Sequence, residues 1–337
     1  MNIRDLKKKP RLAWVDCAKG VAIICVIIGH TAFDTSDTFS FITSFHMPLF
    51  FLLSGFTMHP TTDKKTFLKK TLRDAKTLLL PTIIFSFVRI VVGGIQKTGF
   101  SSSIILSLLL KWFNSLLSST SNPYISLGML WFLVSMFVSR LFINATTVAV
   151  GPKNNKYPLL FLGAFGVFLG ANSFYLPFNI DISLVCVLFI TLGLIARSKL
   201  RFLKKHRTEL FIVACGIWLY GIMNTHFIAL AEYGMSKNLF AIIVALSGSY
   251  CVSVLCKTIH KLRFSKFFEF FGKYSLIVLI VHYLDQSILF KHWTSIEPKP
   301  YWVRPAIFRV IIVLCISATF MLVKAKAKTL ISRPRHK

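Results

Sequence analysis

Residues 13–33 read AWVDCAKGVAIICVIIGHTAF. Only Asp16, Lys19 and His30 interrupt the apolar and small residues with a charge or an imidazole. At about 1.5 Å per residue a helix of this length covers about 30 Å, the thickness of a hydrocarbon bilayer core. Working outward, comparable stretches lie at 41–59, 78–96, 127–146, 158–172, 181–196, 209–230, 239–256, 274–290 and 305–323. A further segment, Ser101 to Ser119, carries Lys111, Trp112 and Asn114 and reads as an interfacial helix rather than another span. The expected fold is all-α, a polytopic membrane helix bundle of about ten transmembrane helices. It divides into a basic N-terminus (1–12), a transmembrane domain (13–323) and a basic tail (324–337).

Composition excludes the common alternatives. Of 337 residues, 55% are hydrophobic, 33 are Phe and only 15% are charged, whereas a soluble domain carries charge on about a quarter of its residues. A disordered chain is poor in such apolar residues. With 40 Lys and Arg against 12 Asp and Glu the formal charge is +28, but the cations form short runs between apolar stretches. A nucleic-acid binder would gather them on one face or arm, so no nucleic acid is expected as a partner; the lipid bilayer is.

Short loops rich in Lys and Arg stay in the cytoplasm. With ten spans, both termini and every second loop hold 30 of the 40 cations, so both termini are expected to be cytoplasmic and the membrane to be the cell's inner (plasma) membrane. Counting Ser101 to Ser119 as a span would reverse every later loop and destroy the asymmetry. No cleavable leader is expected, because Asp16 and Lys19 break the first apolar stretch. The seven Cys show no Cys-x-x-Cys pair or metal-like spacing; they read as packing residues, and no metal is expected.

Ionisable groups inside a span are costly and invite a functional reading. At 100° per residue Asp16, Lys19 and His30 share one stripe, and Lys19 to His30 is a rise of about 16 Å. The stripe suits a wet cavity; a snorkelling Lys19 and a His30 that ends the helix fit the same pattern. In the second stretch, Phe45-His46-Met47-Pro48-Leu49-Phe50-Phe51 sets His46 close to the depth of His30. An interfacial histidine beside a proline kink is the plain alternative. Arg73 and Lys76 lie three apart on one face and suit a polyanion, or simply topology and lipid headgroups. Arg89, Arg140, Asp181 and Arg309 fall near span ends and read as interfacial.

Together these residues resemble the acyltransferase-3 family of integral membrane proteins, which O-acetylate sugars and other cell-surface acceptors. Lys19-x10-His30 is similar to the family's Arg/Lys-x10-His, and Arg73-x-x-Lys76 to its Arg-x-x-Arg, with Lys in place of the second Arg. Leu130-Trp131-Phe132-Leu133 matches Leu-Trp-Phe-Leu, and Gly272-Lys273-Tyr274-Ser275-Leu276 through His282 matches the late Gly-x-x-Ser-Leu…His element. The likeness runs from about residue 11 to 324.

The resemblance implies transfer of an acetyl or other acyl group from cytoplasmic acetyl-CoA (acyl-CoA) to a hydroxyl of a cell-surface or lipid-linked glycan. It implies His30 as the catalytic base and Lys19, Arg73 and Lys76 at the donor. Asp16, His46, Trp131 and His282 would line the substrate path, with His282 expected in the inner half of its span. Asp34 stands four residues beyond His30, as a ring-orienting group or a loop carboxylate. Tyr175, Trp293, Tyr301 and Trp302 suit sugar stacking or an aromatic belt. A transporter or flippase of a lipid-linked sugar or small solute is the competing class, although no paired halves with matching broken helices are visible. A scaffold for polysaccharide assembly is a third, which has no need of the Lys19 and His30 stripe.

Overall fold

The computed structural model describes residues 11–31, 37–99, 102–118, 127–224, 239–285 and 303–332. Among these residues every regular element is helical, as a chain that must satisfy its backbone inside lipid requires. In order they are α1 (Ala13–Gly29), α2 (Asp37–Thr43), α3 (His46–Thr57), α4 (Lys64–Asp74), α5 (Leu80–Thr98), α6 (Ser102–Leu117), α7 (Trp131–Asn154), α8 (Lys156–Ala171), α9 (Ile180–Ser198), α10 (Leu200–Lys205), α11 (Arg207–Met223), α12 (Phe240–Ile259), α13 (Ser265–Lys273), α14 (Ser275–Leu284) and α15 (Val303–Ser332).

Six of these stretches are long and apolar enough to cross a membrane, or seven if the bent pair α13–α14 is one span. The helices α1, α8 and α11 are shorter, at 17, 16 and 17 residues. Ser102–Leu117, within the segment expected to be interfacial, forms α6, packed along α5, where Trp112 Nε1 donates to Ser86 Oγ at 3.0 Å.

Three local features place the working parts. The carboxylate of Asp63 accepts from the Thr66 amide at 2.8 Å and caps α4; that bond holds Asp63 below the usual carboxylate range. One π turn, Ala75–Leu79, joins α4 to α5, with Pro81 in the first turn of α5, where its missing N–H is harmless. Finally, α13 and α14 meet at Tyr274 with a bend of 75°.

Helices in lipid associate by close packing, which small residues permit. A Cβ on Gly20 would run into the Phe268 carbonyl, and one on Gly272 into the Asp16 carbonyl, so α13 lies directly on α1. Gly55 and Gly193 do the same for α3 and α9. Two buried apolar clusters result, one centred on α1, α12 and α14, the other on α7 and α9. Met47, Leu78 and Phe132 touch both clusters.

Candidate active site

At the seam between the two clusters lies a cavity of about 400 Å³, within the range of small-molecule sites. The α1 stripe supplies one wall: Lys19, Ile23, Val26 and His30 all line it. From α3 come His46, Phe50, Ser54 and Thr57, and from α7 Phe132, Met136 and Arg140. Those α7 residues are spaced by four, so they advance about 40° per step along one face and about 12 Å along the axis. Met47, Leu78 and Phe132 close the seam.

The two ends differ in chemistry. At one end Lys19 and Arg140 face the cavity within electrostatic range of each other. Among the described residues Lys19 makes no hydrogen bond or ion pair. Arg140 Nη1 lies 3.3 Å from Asp74 Oδ2, and the same buried carboxylate is 3.5 Å from Arg73. Two cations against one shared carboxylate leave this end positive, suited to an anionic group.

At the other end are His30 and His46. The Nδ1 of His46 is 2.7 Å from the Ile42 carbonyl; because a carbonyl only accepts, Nδ1 carries the hydrogen and Nε2 is the acceptor of the neutral ring. His30 follows the last turn of α1 and is accessible. The His282 ring stands 5.7 Å from it, centroid to centroid, tilted by 40°. A polar imidazole end, a cationic end and apolar walls between them fit a long ligand with an anionic head.

A family model described as an acyltransferase domain, acyltransferase-3, matches residues 12–324. The chain belongs to the acyltransferase-3 family. Membership implies acyltransferase activity, in agreement with the resemblance drawn from Lys19-x10-His30 and its companions. No curated protein and no solved structure gives a match.

In this acyltransferase-3 protein the expected site residues separate into two groups. Lys19, His30, His46 and Trp131 meet at the cavity; Trp131 is 5% exposed and packs toward Phe51. Asp16 does not join them. Its carboxylate is held by two bonds from Arg11, at 2.8 and 2.9 Å, which raise the Arg11 guanidinium above its ordinary value. Arg73 and Lys76 are exposed on α4 and the π turn and line no part of the cavity.

His282 is fully buried beside His30, at the opposite end of α1 from Lys19, whereas its expected place in the inner half of the span would set it toward Lys19. The break at Tyr274 lies beside the Lys19 half of α1, because Gly272 rests on Asp16, and eight residues of helix then climb about 12 Å toward His30.

The other span-end charges, expected at the interface, make contacts inside the protein. Arg309 and Asp181 are each 5% exposed, Arg140 lines the cavity, and Arg89 lies over the Tyr283 ring at 4.9 Å. Arg140 and Asp74 are the residues missed. The visible signal was the Phe132, Met136, Arg140 spacing, which continues the Trp131 motif down one face. Tyr175 is exposed on the turn before α9; Asp34, Trp293, Tyr301 and Trp302 lie outside the described residues. The seven cysteines are free thiols. Among the described residues no group of three or more His, Cys, Asp or Glu is placed to hold a metal ion.

Proposed function

We propose that this protein transfers an acetyl or similar short acyl group from acyl-CoA to a hydroxyl of a cell-surface or lipid-linked glycan, across the membrane it spans. The observation that carries the reading is the single cavity that has Lys19 and Arg140 at one end and His30 and His46 at the other. In this reading α1, α2–α3, α5, α7, α8, α9, α11, α12, α13–α14 and α15 make ten spans and α6 lies at the interface. The basic loops then sit on the cytoplasmic side with both termini, and the membrane is the cell's inner (plasma) membrane.

The donor enters from that side. Its phosphates meet Arg73 and Lys76 at the surface and Lys19 and Arg140 at the mouth, and the pantetheine arm runs along the apolar wall. The rise of about 16 Å from Lys19 to His30 brings the thioester to the imidazole. His30 accepts the proton of the acceptor hydroxyl as its oxygen attacks the thioester carbonyl. The tetrahedral intermediate collapses, the C–S bond breaks, and the thiolate takes the proton back from the imidazolium, giving an ester and free coenzyme A. Imidazole suits both halves of this exchange near neutral pH.

The test is purified protein in proteoliposomes, supplied with labelled acetyl-CoA and a panel of polysaccharides. Acetyl-glycan that forms with the unaltered chain and not with His30→Ala supports the reading. Solute uptake with no acyl transfer would make the protein a transporter instead.

A further inference from the structure

Beside His30, four side chains that do not line the cavity form a circuit of contacts. Asp285, fully buried just after α14, accepts from Arg309 Nε of α15 at 2.7 Å through Oδ2. The Nη1 of Arg309 reaches Thr31 Oγ1 at 3.4 Å. Thr31 directly follows His30 and donates its hydroxyl to the Ile27 carbonyl of α1 at 2.9 Å. On the far side of the carboxylate, His282 Nδ1 lies 3.6 Å from the same Oδ2, and the His282 ring leads back to His30 at 5.7 Å. The His30 end of α1 is therefore linked by polar groups to α14 and α15, and of the circuit only His30 lines the cavity.

Stability does not explain such an arrangement. A buried ion pair replaced by apolar residues of similar volume is often neutral or stabilising, and charge inside a membrane is costlier still. The circuit's geometry points to His30. Arg309 is two-armed: one arm holds the carboxylate and the other holds the residue next to His30. The Asp285 carboxylate, 3.6 Å from Nδ1 of His282, is beyond hydrogen-bond reach but close enough to favour the hydrogen on that nitrogen of the ring beside His30.

We propose that Asp285 and Arg309 are positioning residues for acyl transfer, which hold the His30 ring in one orientation toward the cavity through His282 on one side and Thr31 on the other. The inference rests on the reading of His30 as the base. Its expected size follows from geometry, because displacement of a reacting group by about 1 Å costs about 100-fold in rate.

Three variants test it in the proteoliposome assay with labelled acetyl-CoA and the polysaccharide panel, with activity expressed per folded molecule. Asp285→Asn removes the carboxylate. The double variant Asp285→Asn/Arg309→Gln removes both charges, so no ion is left buried alone, and it carries the test if the single variant does not fold. Thr31→Val leaves the ion pair intact and cuts only the tie to α1. The expected result is a kcat lowered about 10- to 100-fold in the first two and several-fold in Thr31→Val, with KM for acetyl-CoA unchanged within about twofold. Full kcat per folded molecule in the double variant and in Thr31→Val overturns the proposal, whatever happens to melting temperature. His30→Ala separates the two readings. If it is inactive while the Asp285 and Thr31 variants are normal, only the positioning role fails; if it transfers at the unaltered rate, or the unaltered chain transfers nothing, the acyl-transfer reading fails.

Discussion

Arg140 of α7 and Asp74 at the end of α4 form an ion pair of 3.3 Å beside the cavity. The cationic wall next to Lys19 is therefore fixed by two helices distant in sequence.

Removal of the Arg140 charge is expected to weaken donor binding. Arg140→Gln should raise KM for acetyl-CoA about 10- to 100-fold with kcat nearly unchanged, since a hydrogen bond to a charged group contributes about 1.5–3 kcal/mol. Arg73→Ala with Lys76→Ala should raise it less than about threefold, because exposed charges are screened. Steady-state kinetics decides the matter, and equal losses would return the donor site to the surface of α4.

His30→Ala should lower kcat by about 100- to 10,000-fold, the usual contribution of a positioned base, and leave folded protein in the membrane. His46→Leu should act differently. It is expected to raise KM for the acceptor and keep most of kcat, because Nδ1 of His46 is engaged with Ile42 and only its other nitrogen is left to meet an acceptor. Paired kinetics of the two variants checks the division of labour.

Gly272→Val should sharply lower the yield of folded protein, because no Cβ fits against the Asp16 carbonyl; overpacking of this kind costs about 1–3 kcal/mol or more. Gly216→Ala is the control, with open space around its position, and should leave the melting temperature in detergent unchanged. Identical melting curves for the two variants would mean that α13 does not rest on α1.

The proposed sidedness is open to cysteine labelling. In a chain freed of its seven cysteines, Ser173→Cys between α8 and α9 should react with an impermeant maleimide added outside cells. Ser198→Cys at the end of α9 should react only after the membrane is opened. The reverse pattern places the termini outside.

What was legible in the chain was whatever a single helix carries by itself. The Lys19 to His30 stripe is a periodicity within α1, and the structure keeps it as one wall of the cavity. His46 was readable because the loop before it is short. Arg140 was hidden, since a charge six residues before the end of the apolar stretch 127–146 reads as a span-end cation until the neighbouring Asp74 is in place. The path of α13 was hidden too. Its Phe267, Phe268, Phe270 and Phe271 merge into the apolar run that follows, no proline marks the break at Tyr274, and the glycines that let it lie on α1 are informative only once their partners are known. For the same reason Arg309 reads as an interfacial base, and Asp285, inside the expected 274–290 stretch, gains meaning only once Arg309 is beside it.

The π turn at Ala75–Leu79 works as a phase setter. It has one residue more than the α-helical count, and each residue turns a helix by about 100°. On one side of it Asp74 must point at Arg140; on the other Arg89 must point at Tyr283. A regular helix through the junction could satisfy one of these contacts but would swing the other by about a quarter of a circle. Deletion of a single residue from the turn is thus a rotation of α5 rather than a shortening of it. A chain so altered would lose one residue, keep its hydropathy and its basic mouth, and lose the meshing of its two halves.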